Sequence, residues 1–176
     1  MVRYLVPVGV FATLLAFFYF GLGRDKETLP SPLIGKPAPV FELPRVDDPS
    51  RMVSTKEFAG RPYVINVWGT WCPGCRQEHE TLLQIARRNV APIIGLDWKD
   101  DLQLAQQWLR DLGNPYVVTA FDAEGRVAID WGVYGAPETF LVDAQGIVRH
   151  KHVGPLTLED WERDFMPKIT GGESRE

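Results

Sequence analysis

The chain has 176 residues, of which 45% are hydrophobic and 24% are charged, the size and composition of one globular domain with additional sequence attached. Its formal net charge of −4 arises from interspersed acidic and basic residues, so the sequence lacks the basic patch that nucleic-acid binding requires. With 2 cysteines the chain cannot form a disulfide framework, and any structural bridge would have to use that one pair.

The first element along the chain is a long apolar segment. Residues 4–23 carry no charged side chain, and a helix of about 20 residues spans the roughly 30 Å hydrocarbon core of a bilayer. A cleaved signal peptide is the alternative, because the small-x-small triplet 21–23 precedes polar sequence, but its apolar region would exceed the usual length of roughly 7 to 15 residues. We therefore expect a transmembrane anchor at 4–23, with 1–3 before it. The flanking charges leave its orientation open.

The rest of the chain is predicted to consist of a linker, one domain and a tail. Residues 24–37 are rich in proline and charge, which is typical of a tether. The globular domain is predicted at 38–170, and the polar tail at 171–176 is expected to be flexible.

The domain is expected to open with short elements. The apolar residues 41–43 are expected to pair with 52–53. Ser54 and Glu57 lie at capping-box spacing, with Gly60 after them, and predict one helical turn.

Strands and helices then alternate along the domain. Strands are predicted where β-branched and aromatic residues cluster, and helices where apolar residues recur every three or four positions. The predicted strands cover 63–69, 92–98, 116–122, 139–143 and 147–154, and the predicted helices cover 73–88, 100–113 and 158–168. This order indicates an α/β fold, with the last two strands forming a hairpin.

The two cysteines, Cys72 and Cys75, directly follow a predicted strand, and three interpretations are open. A purely structural disulfide would close a loop of four residues and contribute only about 2 kcal/mol. A zinc site could combine both thiols with His79, one helical turn after Cys75, and with His150 or His152. No second CxxC or HxxxH motif supplies further ligands, so we interpret the histidines as solvated or edge-strand residues.

Redox exchange, the third interpretation, explains the surroundings of the cysteines as well as their spacing. Cys72 precedes a helix, where unpaired N–H groups and the helix dipole favour the thiolate that must attack a disulfide. Cys75, in the first turn, can then resolve the mixed disulfide. Pro73 is tolerated at the first helical position. The sequence therefore favours dithiol exchange.

The order of strand, WCPGC and helix resembles thioredoxin, and YGAPETFLVD at 134–143 supports this resemblance. It implies a thioredoxin-like fold, with a central mixed β-sheet flanked by helices. In thioredoxin-like proteins a cis-proline packs against the disulfide and docks substrate backbone, and by resemblance this proline is Pro137. Residues implied to contact the substrate around the disulfide are Trp71, Pro73, Gly74 and Ala136. For Trp71, a place in the core is the alternative.

A narrower resemblance rests on several motifs together: NVWGTWCPGCRQEH, LDWKDD, LGNPY and GVYGAPETFLVD. Together they are similar to the DsbE/CcmG thiol:disulfide interchange proteins of cytochrome c maturation. The resemblance implies an anchor in the bacterial inner membrane, residues 1–3 in the cytoplasm and the soluble domain in the periplasm.

The same resemblance implies a function and its partners. The protein would keep apocytochrome c, or its partner thiol protein, reduced for haem attachment, with electrons from a membrane thiol transporter of the DsbD/CcdA type and without a cofactor. The alternatives are a tethered general reductant of other periplasmic disulfides and, less favoured, a Cys/His metal carrier.

One position departs from thioredoxin and directs attention to two acids. Thioredoxin has a buried acid six residues before its first cysteine, where this chain has Asn66, which cannot ionise. Glu78, three residues after Cys75, and Glu138, directly after Pro137, are the candidates to handle protons instead. The alternative for both is a solvated surface residue. Carboxylates close to the cysteines would disfavour the thiolate and so favour a reductant.

Overall fold

The structure, a computed structural model, describes residues 2–22 and 31–171. Helix α1 spans Val2–Leu22 and overlaps the segment that the sequence predicts as an anchor. In this described part of the chain, no helix is both long and apolar enough to cross a membrane. Residues 24–30 of the predicted linker at 24–37 and residues 172–176 of the predicted tail at 171–176 lie outside the described residues.

A mixed central sheet organises the domain. The strands of the described residues are β1 (Glu42–Pro44), β2 (Met52–Ser54), β3 (Tyr63–Trp68), β4 (Ile93–Trp98), β5 (Val118–Asp122), β6 (Glu138–Val142) and β7 (Val148–Val153). The central sheet has the order β5-β4-β3-β6-β7, with β3, β4 and β5 parallel and with β6 antiparallel to both β3 and β7. Strands β1 and β2 form a separate antiparallel pair, as their apolar patches predicted. The mixed sheet expected from the sequence is confirmed.

Helices cover both faces of this sheet. They are α2 (Pro73–Arg88), α3 (Leu102–Leu112), α4 (Arg126–Asp130), α5 (Leu158–Asp160) and α6 (Met166–Ile169). A π-helical turn at Trp161–Phe165 joins α5 to α6, and a 3₁₀ turn at Thr55–Phe58 carries the predicted capping box of Ser54 and Glu57. The sequence did not predict α4, because a helix of 5 residues is too short to show an apolar period.

Two apolar layers pack against opposite faces of the sheet. The layer here called the cysteine layer contains both cysteines and buried side chains of α2, α3 and the C-terminal helices, among them Leu82, Ile85, Trp108, Trp161 and Phe165. The opposite layer contains side chains of the N-terminal elements, α4 and β6, among them Phe41, Phe58, Trp131, Phe140 and Val142. The redox pair therefore belongs to one face of the sheet only.

Candidate active site

The two cysteines form a disulfide at the start of α2. Cys72 is the N-cap of the helix, Pro73 occupies its first turn, and the Cα atoms of Cys72 and Cys75 lie 5.3 Å apart. The backbone N–H of Cys75 donates to Sγ of Cys72 over 3.1 Å. This N–H would stabilise a thiolate at Cys72, so the helix start supports Cys72 as the attacking thiol.

The last residue of β4, Trp98, and Asp100, just after the strand, hold the loop that precedes the cysteines. The Thr70 hydroxyl donates to Asp100 over 2.7 Å, and the Thr70 backbone N–H donates to the same carboxylate. The indole N–H of Trp71 donates to the carbonyl of Trp98 over 3.1 Å. The Trp71 side chain is half exposed at 50%, so it is not a core residue and is available to a partner beside the disulfide.

The loop that contains Pro137, residues 132–137, contacts the first turn of α2. The Ala136-Pro137 peptide bond is cis, as the thioredoxin resemblance led us to expect. A Cβ atom added at Gly74 would come within 2.8 Å of Cδ of Pro137 and within 3.3 Å of Cγ of Pro155. Gly74 therefore allows α2 and the Pro137 loop to touch. Ala136 is half-buried and packs against the cysteine layer.

Asn66 and Glu78 form a buried polar network within the cysteine layer. The amide of Asn66 donates to Oε1 of Glu78 over 2.8 Å and to the hydroxyl of Thr139 over 3.1 Å. The hydroxyl of Tyr116 donates to Oδ1 of Asn66, and the backbone N–H of Leu156 donates to Oε2 of Glu78. Glu78 is buried, so the alternative of a solvated helix residue is wrong.

The environment of Glu78 brings its pKa close to neutral pH. Burial raises the pKa of Glu78 to about 7, and the hydrogen bonds from Leu156 and Asn66 oppose that rise. All donors that contact the carboxylate are neutral. A carboxyl with a pKa near the working pH can both accept and release a proton. Since Glu78 lies three residues after Cys75 on α2, it is the acid on the same helix face as the resolving thiol.

The structure places Glu138 on the opposite face of the sheet. Thr139 contacts Asn66 in the cysteine layer, and successive side chains of a strand point to opposite faces. Glu138 is paired in register with Val67, a member of the opposite layer. Its Oε2 lies 2.9 Å from Nζ of Lys151. Glu138 is therefore neither a surface residue nor part of the network around Glu78.

The polar partners of the three histidines are residues other than the cysteines. His79 is buried, its Nε2 lies 3.0 Å from the carbonyl of Gly113, and its Nδ1 accepts from the indole of Trp108. The expectation of a solvated or edge-strand residue is thus wrong for His79. It is confirmed for His150 and His152, which lie on the edge strand β7. Within 2–22 and 31–171, no group of three or more His, Cys, Asp or Glu side chains is arranged to hold a metal ion.

The sequence analysis assigned no role to Asp97, near the end of β4, or to Asp100, just after the strand. Asp100 holds Thr70, and Asp97 is buried on β4 opposite Trp68. Burial, together with Asp100, raises the pKa of Asp97 to about 9. The available signal was an acid inside the apolar strand IIGLDW, because a buried carboxyl needs a partner or a proton.

Comparison with known proteins agrees with this geometry. The sequence model of the Redoxin family matches residues 33–165. A thiol:disulfide interchange protein DsbE of Allochromatium vinosum is 46% identical over 167 residues, which are 95% of this chain and 92% of that protein. The protein of the same name from Pseudomonas aeruginosa is 47% identical over 163 residues, 93% of this chain and 90% of that one.

Solved structures agree on the fold. The crystal structure of a putative thiol:disulfide interchange protein DsbE from Chlorobium tepidum has a TM-score of 0.68 at 24% identity and covers 82% of this chain and 99% of its own. A secreted thiol-disulfide isomerase from Corynebacterium glutamicum has a TM-score of 0.68 at 21% identity, over 76% of this chain and 85% of its own. The thioredoxin-like fold, the near full-length similarity and the Cys72–Cys75 pair together establish that the chain belongs to the DsbE family of thiol:disulfide interchange proteins.

Proposed function

We propose that this protein is a membrane-anchored periplasmic reductant of cytochrome c maturation, which keeps apocytochrome c or its partner thiol protein reduced for haem attachment. The observation that carries the direction of exchange is the buried carboxyl of Glu78, which lies three residues after Cys75 on the same face of α2. When ionised, it disfavours a thiolate nearby and so makes the dithiol form less stable relative to the disulfide. A less stable dithiol gives up its electrons more readily.

The chemistry proceeds in two exchanges. The Cys72 thiolate attacks one sulfur of the partner's disulfide, which forms a mixed disulfide and releases the first partner thiolate. Cys75 loses its proton to Glu78 and attacks Sγ of Cys72. The Cys72–Cys75 disulfide forms, and the second partner thiolate leaves with a proton from solvent. Two electrons pass to the partner, and a membrane thiol transporter of the DsbD/CcdA type restores the dithiol.

The partner is proposed to dock where α2 meets the Pro137 loop. Trp71, which directly precedes Cys72, is 50% exposed and available as an apolar contact, and Tyr134, three residues before Pro137, is 60% exposed. Aromatic side chains contribute large contact area at low cost in conformational entropy. Backbone of the partner would lie against Pro137, with Ala136 and Gly74 supplying the small residues that allow a close approach.

The anchor is proposed to be 4–23, with residues 1–3 in the cytoplasm and the domain in the periplasm of a bacterial inner membrane. Support comes from the absence of charge in the sequence 4–23, most of which lies within the helix Val2–Leu22. In that helix Phe11 and Phe17 are exposed at 64% and 72%, and in water such apolar surface is unfavourable. Alkaline extraction of membranes tests this, since an anchored chain stays in the pellet and a processed one is released.

A deletion strain tests the cellular role. Haem staining is expected to show loss of c-type cytochromes, which the wild-type gene restores and Cys72→Ser does not. Normal cytochrome c levels in the deletion strain would contradict the proposal.

Trapping with Cys75→Ser then identifies the mixed-disulfide partner. Capture of unrelated periplasmic proteins alone would favour a general tethered reductant.

The reduction potential tests the direction of exchange. Equilibration of the Cys72–Cys75 pair with a thiol buffer is expected to give a value near that of thioredoxin, about −270 mV, or moderately above it. A value near that of the oxidant DsbA, about −120 mV, would contradict the proposal.

A further inference from the structure

Lys151 on β7 is a buried cation whose partners all lie close to the Pro137 loop. Its side chain is 4% exposed, and its Nζ lies 2.9 Å from Oε2 of the fully buried Glu138. The same Nζ donates to the carbonyl of Gly132 over 2.9 Å. A buried ion pair offsets its desolvation cost only when further hydrogen bonds satisfy both ions. Here the further bonds go to the segment that leads to Pro137.

Two more contacts fix the middle of that segment. Nζ of Lys151 lies 4.4 Å from the ring centroid of Tyr134, within the range of a cation–π interaction. The backbone N–H of Tyr134 donates to Oε1 of Glu138 over 3.3 Å. Residues 132–137 are here called the docking loop. One ion pair therefore holds this loop at three groups, which are the carbonyl of Gly132, the ring of Tyr134 and the backbone N–H of Tyr134.

We propose that Lys151 is a positioning residue that, paired with Glu138, holds the docking loop so that Pro137 and the exposed ring of Tyr134 face the partner. The inference rests on the proposed docking of partner backbone at Pro137. It assigns Glu138 a structural part rather than proton transfer. Oε1 of Glu138 accepts from the N–H of Tyr134, and Oε2 lies 2.9 Å from Nζ of Lys151. The side chain lies on the face of the sheet away from the cysteine layer, opposite Val67.

The ion pair does more for the loop than apolar packing could. Two methionines of similar volume would fill the space without a buried charge. They would leave the carbonyl of Gly132 and the amide of Tyr134 without the partners they have now. Loss of both contacts would let the loop move, and small displacements of a binding element cost affinity steeply.

The test uses full-length protein and two oxidised peptides. One peptide carries the C-x-x-C-H sequence of c-type haem attachment, and the other has the same composition with the cysteines spaced differently. Single-turnover reduction is followed over a range of peptide concentrations, which separates the half-saturating concentration from the limiting rate. A small aromatic disulfide, which needs no docking loop, reports the intrinsic reactivity of Cys72.

The decisive variant is Lys151→Met combined with Glu138→Met, because it removes both charges and leaves no buried ion without a partner. It is expected to fold with a Tm close to that of the wild type. Its half-saturating peptide concentration should rise by about tenfold or more, with an unchanged limiting rate and unchanged reaction with the small disulfide. Lys151→Arg, which can keep the ion pair, should restore most of the affinity.

Arg149→Met is the matched control on the same strand, since Arg149 pairs with Asp143 on the surface. It should leave every measured constant unchanged. Wild-type half-saturation in the double variant, or the same loss in Arg149→Met, would overturn the inference. Failure of the wild-type protein to prefer the C-x-x-C-H peptide would count against the proposed function alone. The positioning role is judged from the ratio of variant to wild type with either peptide.

Discussion

Two buried glutamates lie on opposite faces of the central sheet, and their partners differ in charge. Glu78 is contacted by neutral donors, the amide of Asn66 and the backbone N–H of Leu156. Glu138 is paired with the cation of Lys151. Both residues are close to the reactive motifs in sequence and equally inaccessible to solvent. The two carboxyls are buried alike, but only Glu138 has a cation beside it, so the contacts of Glu138 assign it a structural part.

The largest expected effect comes from removing the cation that partners Glu138. Lys151→Met leaves the Glu138 carboxylate buried without a counter-charge, which should lower the free energy of unfolding by roughly 3–5 kcal/mol. Urea denaturation at pH 7 measures the loss. Arg149→Met removes a half-exposed surface pair and should cost less than about 1 kcal/mol. Equal losses in the two variants would show that the buried pair has no special role.

The second effect concerns the titration of Glu78. Its pKa is raised from 4.5 to about 7 in the folded protein, so between these values the unfolded chain has released the proton and the folded chain still holds it. Stability contributed by this group is therefore complete below pH 4.5 and is lost as the pH rises through about 7. Over the whole window the loss is roughly 3 kcal/mol, from about 1.4 kcal/mol per pH unit.

The variant Glu78→Gln isolates this contribution from that of other acids. Glutamine does not titrate, so the difference in unfolding free energy between wild type and variant should shift in favour of the variant by about 3 kcal/mol from pH 4.5 to 8. Because the variant also lacks a proton acceptor, resolution by Cys75 should slow by roughly 10²-fold. A difference that does not vary with pH would mean that Glu78 titrates normally.

The sequence predicted the arrangement around the cysteines well because local rules govern it. Cys72 at the N-cap and Pro73 in the first turn are residues that favour a helix start, so they indicated where α2 begins. The apolar patterns located β3, β4 and α3 within a few residues. The role of Pro137 was inferred from a motif resemblance, since no residue near it in sequence indicates that it contacts α2.

The two glutamates were harder to predict because their partners are remote in sequence. Glu78 is defined by Leu156 and Glu138 by Lys151, which on a predicted edge strand looks like a solvated residue. The burial of His79 was missed for the same reason, since Trp108 and Gly113 come from α3 and its C-terminal end. Side-chain environment at these positions depends on the packed layers rather than on local pattern.

The smallest expected effect concerns the amide that donates to Glu78. Asn66→Asp places a second carboxyl where the amide now lies 2.8 Å from Oε1 of Glu78. Two carboxyls at that distance cannot both ionise, so the pair should keep one proton above the pH at which Glu78 alone releases it. Tyr116 and Thr139 can both donate to the new carboxyl, so most of the network survives.

The cost of Asn66→Asp should therefore be confined to alkaline pH. We expect nearly wild-type stability at pH 5 and a loss of roughly 1–2 kcal/mol at pH 8, where the unfolded chain has released both protons and the folded pair resists doing so. Carboxyl NMR resonances should show two coupled titration steps in place of one. A single step near pH 7 would mean that position 66 and Glu78 do not share a site, and that the amide of Asn66 only fills space.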